Sequence, residues 1–170
     1  MSENSVPVAL ARRSLEHYVT KGTLLSGDYS DPVLEGQAGT FVSLKKGGEL
    51  RGCIGTIQST QPTVADEIIH NAVKAATVDP RFNPVRAEEL DEITISVDIL
   101  GEPEPVQSHQ ELDPKVYGVI VRSGRRSGLL LPDLEGVDTV DQQVSIAKQK
   151  AGIGPHESVE LYRFRVTRYT

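Results

Sequence analysis

The chain has one cysteine, and the residues around it are unusual for the interior of a β-strand. Cys53 follows Arg51 and is bracketed by Gly52 and Gly55 within residues 50–56. Glycine is disfavoured inside strands because it has no side chain to pack and loses more backbone entropy on folding than other residues. Two glycines three residues apart therefore predict a β-bulge, or a close approach of another group to the backbone. We interpret this segment as the candidate site.

Two interpretations of Cys53 remain open. In the first it is a catalytic thiolate or redox centre, activated by Arg51 or by backbone N–H groups of the glycine segment. In the second it is a small packed or cleft-lining residue, since free cysteine is among the most buried residue types. The choice between an enzyme and a binding protein therefore depends on what surrounds the thiol.

The backbone of the same segment is a candidate ligand-binding element. Exposed N–H groups around Gly52, Ile54 and Gly55 would attract an anion. The alternative is that the glycines allow tight packing under the helix that follows. The segment is not a P-loop, because it lacks the Gly-Lys-Ser/Thr ending.

A second candidate element is the proline-flanked stretch at residues 79–84. Arg81 is suited to bind a carboxylate or phosphate group beside the cysteine segment. The alternative is structural, with Arg81 paired to Asp79 or Glu89 and Phe82 filling the core. We predict Arg51, Asp79, Arg81 and Phe82 as ligand-binding residues alongside the glycine segment.

Composition excludes several classes of protein. The chain has 170 residues and a net charge of −6, which argues against a general nucleic-acid binder. The four histidines have no metal-site spacing and there is no second cysteine, so we predict neither a metal nor a cofactor. No signal-peptide pattern or membrane-length apolar run is found, and we expect a cytoplasmic protein. The sequence does not define an oligomeric state.

Nucleic-acid binding is the weakest alternative. It would rest on two arginine clusters, one formed by Arg122, Arg125 and Arg126 and the other by Arg163, Arg165 and Arg168. In the second cluster the aromatic residues alternate with the arginines and should lie on the opposite face, which disfavours base stacking. Solvated charges that block edge-to-edge strand pairing are the better explanation.

The remaining patterns indicate the elements that position the candidate site. One helix is predicted from Pro7 to Lys21. A second begins after Thr63 and continues to Ala76, and a third is capped by Asp138 and continues to Ala151. Strands are predicted at residues 40–45, 50–57, 93–99, 117–122, 127–131 and 160–167. The strands come mostly as hairpins, which predicts an α+β fold with a largely antiparallel sheet and flanking helices. We expect one domain over residues 1–170, with at most a minor lobe, and the sequence shows no internal repeat.

Several segments together resemble the AMMECR-type domain family, named for a human X-linked deletion syndrome with Alport features. They cover nearly the whole chain in the family's order. The matching segments are residues 50–56, 79–84 with 89–90, 118–119, 130–132 and 150–152. The cysteine-containing heptapeptide is the most specific of them.

The resemblance implies a compact α+β protein with a smaller lobe and no established activity. It also implies association with Memo-like and radical-SAM proteins. For the site around the cysteine we predict a ligand-binding or accessory function, with an unknown small molecule as ligand. Two positions depart from the family pattern, because Tyr117 stands where many relatives have histidine and Asp133 begins a different sequence after Leu-Pro. The first departure removes the most obvious catalytic base and weakens a cysteine–histidine mechanism.

Overall fold

The computed structural model describes residues 5–27 and 29–170. Within these ranges it contains three α-helices and eight β-strands, and none of the helices is long and apolar enough to cross a membrane. Residues 1–4, which belong to the N-terminal stretch without a signal-peptide pattern, lie outside the described residues. Asp28 lies outside them as well, in the stretch 23–39 that the sequence predicts as a wrapping loop or as partly helical. The predicted α+β class is confirmed.

The elements follow the apolar patterns of the sequence. The helices are α1 Val6–Lys21, α2 Val64–Thr77 and α3 Val140–Ala151. The strands are β1 Thr40–Lys46, β2 Glu49–Gly55, β3 Ile93–Leu100, β4 Glu104–Val106, β5 Gly118–Ser123, β6 Arg126–Leu130, β7 Glu160–Phe164 and β8 Val166–Tyr169. Short 3-10 helices occupy Pro32–Leu34, Ala87–Glu92 and His109–Glu111.

The strands form two four-stranded sheets, whereas the sequence predicts one. The first has the order β2-β1-β3-β8 and the second the order β4-β7-β5-β6. The chain divides into two compact units accordingly. The first unit contains the chain up to Ile99 together with Thr167–Thr170, and the second contains Leu100–Val166. The prediction of a single domain with a minor lobe stays a prediction.

The core of the first unit lies between α1, α2 and one face of its sheet. Alternate residues of β1 and β3 are buried on that face, as their period-two pattern predicts. The fully buried aliphatic residues include Leu15, Val42, Leu44, Ile68 and Val97. Gly22 ends α1 in the left-handed conformation, as predicted from its position after Lys21.

The second unit has its own core between α3 and one face of the second sheet. Val119 and Val121 of β5 contribute to it, with Ala147 of α3 packed against them. In both units, therefore, an aliphatic hairpin packs against the helix that follows it.

Three sequence predictions need correction. The sequence Glu-Pro-Glu-Pro at residues 102–105 predicts a stiff acidic linker, but Glu104–Val106 pairs with β7 as a strand. The cap of α3 is Thr139, whose hydroxyl accepts a hydrogen bond from the Gln142 amide, and not the preceding Asp138. The strand predicted at 160–167 is two strands in different sheets, separated at Arg165.

Candidate functional site

The cysteine segment is β2, the second strand of the first hairpin, and it contains the predicted bulge. Leu44 of β1 pairs with Gly52, whereas the next residue, Lys45, pairs with Leu50. Arg51 is therefore the extra residue of the bulge. A bulge redirects the side chain it carries, and Arg51 turns towards the loop that follows α2.

Both glycines of the segment are in close contact with other parts of the chain. A Cβ at Gly52 would lie 2.2 Å from the carbonyl oxygen of Ala75 in α2, and a Cβ at Gly55 would lie 2.2 Å from the Phe41 ring. Both distances are far shorter than a carbon contact allows. Packing against the α2 backbone therefore requires glycine at position 52, whereas a side chain at position 55 would require the half-buried Phe41 ring to move. The ligand-binding role of Gly52 and Gly55 stays a prediction.

Cys53 lies on the face of the sheet opposite α2. Its neighbour Gly52 faces the helix, and side chains alternate along a strand. The Thr56 amide donates to the Thr40 carbonyl, so the alternation of antiparallel pairs makes Ser43 and Cys53 a non-hydrogen-bonded pair. Side chains approach closely in such a pair, and Ser43 Oγ lies 3.2 Å from Cys53 Sγ. Both side chains are half-buried.

The backbone N–H of Cys53 points away from β1, towards the free edge of the sheet. It donates to Asp79 Oδ2 at 3.0 Å. The donor that could have bound a ligand anion is therefore already paired with a carboxylate of the chain. This contact also blocks the edge of β2 against pairing with another strand.

Asp79 is the charged centre of the loop after α2. Its side chain is only 2% exposed, and it receives Arg81 Nε at 3.0 Å and Arg81 Nη2 at 2.7 Å. These bidentate hydrogen bonds hold the pKa of Asp79 well below its usual range, and the Cys53 amide adds to the effect against the opposing effect of burial. The same contacts raise the pKa of Arg81. Arg81 is therefore bound to Asp79 through Nε and Nη2, although the Arg81 side chain is 56% exposed.

Arg51 forms a matching pair with Glu89 at the start of the next short helix. Arg51 Nε and Nη2 lie 2.9 and 3.1 Å from the two carboxylate oxygens. The hydrogen bonds from Arg51 and from the Arg86 amide, with a smaller contribution from Lys46, lower the pKa of Glu89 to about 2. The Arg51 guanidinium also donates to the Pro84 carbonyl at 3.4 Å, so it holds the loop against β2.

The Phe82 ring lies close to both arginines. The Arg51 and Arg81 guanidinium carbons are 6.0 and 5.5 Å from the ring centre. Phe82 is half-buried and is not among the residues of either aliphatic core. The structure thus brings together Arg51, Cys53, Asp79, Arg81 and Phe82, and it places Ile54 on the other face, packed against the first core.

Two features of this region were not found from the sequence. Ser43 looks like an ordinary polar residue of an alternating strand, and only the register identifies it as the partner of the thiol. Glu67 looks like a solvent-facing residue of an amphipathic helix, yet it is fully buried. No sequence signal distinguished either residue.

Glu67 anchors the chain just after β2. Its carboxylate accepts hydrogen bonds from the Thr56 and Thr60 hydroxyls and from the Thr60 and Gln61 amides, at 2.6 to 3.0 Å. Burial alone would raise its pKa, but these four hydrogen bonds outweigh it and the pKa lies below its ordinary value. All the lone-pair positions of the carboxylate are used, which leaves no place for a metal ion.

The described part of the chain contains no group of three or more His, Cys, Asp or Glu residues arranged to hold a metal. The sequence predicts His70 at the edge of the apolar stripe of α2, with a position facing the cysteine segment as the alternative. In the structure its Nδ1 bonds to the Asp66 carbonyl of its own helix at 2.8 Å. Among the described residues, the hydrogen bonds of Cys53 go to Ser43 and Asp79.

The fold and the site define an α+β protein of two antiparallel sheets with a half-exposed cysteine on the second strand of its first hairpin. The sequence profile of the AMMECR1 family matches residues 8–169. The chain belongs to this family.

Three related proteins and one solved structure each match at least 95% of this chain. A Thermotoga maritima protein is 55% identical over 95% of both chains, and a Methanosarcina mazei protein is 38% identical over 96% of this chain and 88% of its own length. A Clostridium acetobutylicum protein is 51% identical over 95% of this chain, but the match covers only 35% of that longer protein. The crystal structure of the uncharacterized protein PH0010 from Pyrococcus horikoshii matches 95% of this chain and 88% of its own, with a TM-score of 0.87 and 31% identity.

Proposed function

We propose that the chain is a binding protein that acts as an accessory to a Memo-like or radical-SAM enzyme. The proposed contact surface consists of Cys53, Arg81 and Phe82, with Arg51 at its margin, and we call it the Phe82 surface. The observation that carries the proposal is a half-buried phenylalanine flanked by two guanidinium groups whose charges are already neutralised. Arginine and aromatic residues are enriched at protein interfaces and dominate their binding energy.

The charge distribution favours docking over anion capture. Arg51 and Arg81 each bind a carboxylate of the chain through two hydrogen bonds. Because Nε and Nη2 of each guanidinium group are already used, a ligand anion could reach only the remaining N–H groups, beside a carboxylate of the same charge. The surface therefore offers flat guanidinium and aromatic faces and few free donors.

The longer Clostridium acetobutylicum relative supports an accessory role. In that protein the matching region is one part of a chain nearly three times as long, since it covers 35% of the whole. A domain that occurs inside a longer chain has a covalent neighbour on which it can act. This arrangement is compatible with the Memo-like and radical-SAM association that the family resemblance implies.

A cysteine-dependent enzyme acting on a small polar substrate is the second candidate. The half-buried thiol and the Ser43 hydroxyl 3.2 Å away favour it. However, a nucleophilic cysteine needs a base and donors for the developing oxyanion. The Cys53 amide is bonded to Asp79, and among the described residues the partner of the thiol is the Ser43 hydroxyl and not a histidine. Binding is therefore the better supported function.

Nucleic-acid binding is the least supported candidate. Arg126, Arg163 and Arg168 of the two arginine clusters form ion pairs with Glu157, Glu104 and Asp98, respectively. Guanidinium groups engaged in this way are poorly available for phosphates.

The proposal is tested with purified Memo-like and radical-SAM proteins encoded in the same genome, by titration calorimetry against the wild type and the variants Phe82→Ala and Cys53→Ser. We expect one of the two partners to bind and Phe82→Ala to weaken that binding at least tenfold. Tyr29→Ala is the matched control, because Tyr29 also contacts an arginine, Arg13, with 5.9 Å between guanidinium carbon and ring centre.

Three results would change the conclusion. If neither partner binds the wild type, the accessory role is wrong. If Phe82→Ala and Tyr29→Ala weaken binding equally, the contact surface is wrong. If Cys53→Ser leaves binding intact but abolishes conversion of a substrate, the enzyme is the correct alternative.

A further inference from the structure

The two units have the same order of elements. In each, a hairpin is followed by a helix and then by a third strand that pairs antiparallel with the first strand of the hairpin. The resulting strand orders are β2-β1-β3 in the first unit and β6-β5-β7 in the second. Each unit thus contains a ββαβ module with one additional strand beside its third strand, and the first unit also contains α1.

The helix contacts the hairpin through the same pair of positions in both modules. A Cβ at Gly52 would lie 2.2 Å from the Ala75 carbonyl oxygen, and a Cβ at Gly128 would lie 2.2 Å from the Ala147 carbonyl oxygen. In both cases a glycine of the second hairpin strand lets the backbone of the helix pack directly against the strand. The contact aligns β2 with β6 and α2 with α3.

A buried amide side chain repeats at the same place in each helix. Asn71 and Gln143 both lie four residues before the alanine of the glycine contact and are fully buried. Asn71 Nδ2 donates to the Thr40 carbonyl at 3.0 Å, and Gln143 Nε2 donates to the Tyr117 carbonyl at 2.9 Å. Thr40 begins β1, and Tyr117 directly precedes β5. In each amide the side-chain oxygen has no partner within the described part of the chain.

The edge of each hairpin is also protected in the same way. The residue after the contact glycine is Cys53 in β2 and Leu129 in β6. The Cys53 N–H is bound by the Asp79 carboxylate, and the Leu129 carbonyl is bound by the Lys150 ammonium group at 2.9 Å. Both charged groups come from the end of the following helix or from just beyond it.

This alignment places Ser43 at the position of Ile120 and Cys53 at the position of Leu129. Ser43 and Ile120 each directly precede the residue that pairs with the glycine in contact with the helix. Cys53 and Leu129 each directly follow that glycine. Ile120 is 3% exposed and Leu129 is 6% exposed, so the second module accepts a buried apolar pair at these positions. The fold therefore does not require a hydroxyl facing a thiol.

The bulge also belongs to the first module alone. The pairing of β5 with β6 runs from Val119–Leu130 to Ser123–Arg126 without a shift in register. Arg51 therefore has no counterpart in the second module. The polar pair and the bulged arginine both occur in the copy that carries the Phe82 surface.

We infer that residues 40–99 and 117–164 are two copies of one ββαβ module, and that Ser43 and Cys53 are the positions at which the first copy is specialised for binding. The second part of this inference rests on the proposed function, and it adds Ser43 to the Phe82 surface. The first part concerns the fold alone.

The test transfers the apolar pair of the second module into the first. We expect the double variant Ser43→Ile/Cys53→Leu to unfold within about 3 °C of the wild type or above it. The reverse transfer, Ile120→Ser/Leu129→Cys, should lower the melting temperature by more than about 10 °C, because it removes buried apolar groups. If the reverse variant does not accumulate, Leu129→Ala provides the same comparison with a smaller loss.

The two parts of the inference fail separately. A loss of more than about 10 °C in Ser43→Ile/Cys53→Leu would show that the polar pair is needed for folding and would overturn the equivalence of the positions. If that variant is stable and still binds the partner as the wild type does, the specialisation is wrong. If the wild type binds neither partner, the proposed function fails, while the melting temperatures still decide whether the modules are equivalent.

Discussion

The amide of Cys53 and the carboxylate of Asp79 form one hydrogen bond that joins the free edge of a sheet to the loop after a helix. The bond is 3.0 Å long, and its acceptor is almost completely buried. Arg81 completes the arrangement by binding the same carboxylate from the solvent side. The segment around the cysteine is thus positioned by a charged group.

Replacing Asp79 by alanine should destabilise the protein by about 3 kcal/mol, because it leaves Arg81 without a partner and the Cys53 amide without an acceptor. Urea unfolding measures the loss, and hydrogen exchange at the Cys53 amide should become faster. Asp91→Ala, at an exposed position, is the control and should change stability by less than about 0.5 kcal/mol. Equal losses in the two variants would contradict the role assigned to Asp79.

Glu89 makes stability depend on pH in the acid range. Its pKa falls from 4.5 to about 2 on folding, so its contribution is complete above pH 4.5 and is lost as the pH falls towards 2. We expect Glu89→Gln to remove about 2 kcal/mol at pH 7 and to flatten the pH profile of the unfolding free energy in this window. Glu88→Gln, at an exposed neighbour, should leave the profile unchanged. If the unfolding free energy of Glu89→Gln falls with decreasing pH as it does in the wild type, the ion pair between Arg51 and Glu89 does not contribute to stability.

The buried carboxylate of Glu67 should be essential for the chain that follows β2. Glu67→Gln replaces one acceptor oxygen by an amide nitrogen that faces hydroxyl and amide donors, and we expect a loss of about 2–3 kcal/mol in chemical unfolding. Its depressed pKa has the same sign as that of Glu89, so the contribution of Glu67 is present at neutral pH and declines on acidification. Glu16→Gln, on the exposed surface of α1, serves as the control. A wild-type free energy of unfolding for Glu67→Gln would refute this assignment.

The two contact glycines should be intolerant of even a methyl group. Gly52→Ala and Gly128→Ala each place a Cβ on a helix carbonyl, and we expect losses of about 3 kcal/mol or more in both. Gly101→Ala is the control, since its Cβ would meet its nearest neighbour at 3.4 Å. Thermal unfolding compares the three variants. A tolerated Gly52→Ala would show that the helix can move and that the glycine serves another purpose.

The hairpins, α1, α2 and β3 could be predicted because each is specified locally, by alternating apolar residues or by a helical stripe with a suitable end. The split at Arg165 could not be predicted, because residues 160–169 alternate almost continuously and only tertiary pairing assigns the two halves to different sheets. Thr139 was missed as a cap because the neighbouring Asp138 is an equally good capping residue in isolation.

The candidate site was predictable in its conspicuous residues and not in its supporting ones. Residue type and spacing are enough to select Arg51, Cys53 and Arg81 as candidates. The structure brings these three residues into one region. Ser43 and Glu67 acquire their roles from strand register and from burial, which are properties of the folded chain. The repeat was invisible because the two modules share contacts between backbone and small residues, with little identity of side chains.

The order in which the chain contributes strands to the two sheets affects when each sheet can be completed during folding. β4 follows the last strand of the first module but pairs within the second sheet, and β8 follows the last strand of the second module but joins the first sheet beside β3. Arg168 fixes β8 there through two hydrogen bonds to Asp98, at 2.7 and 3.0 Å. A fragment that ends before residue 166 lacks the outer strand of the first sheet, so the first unit can be complete only after residues 166–169 have been synthesised.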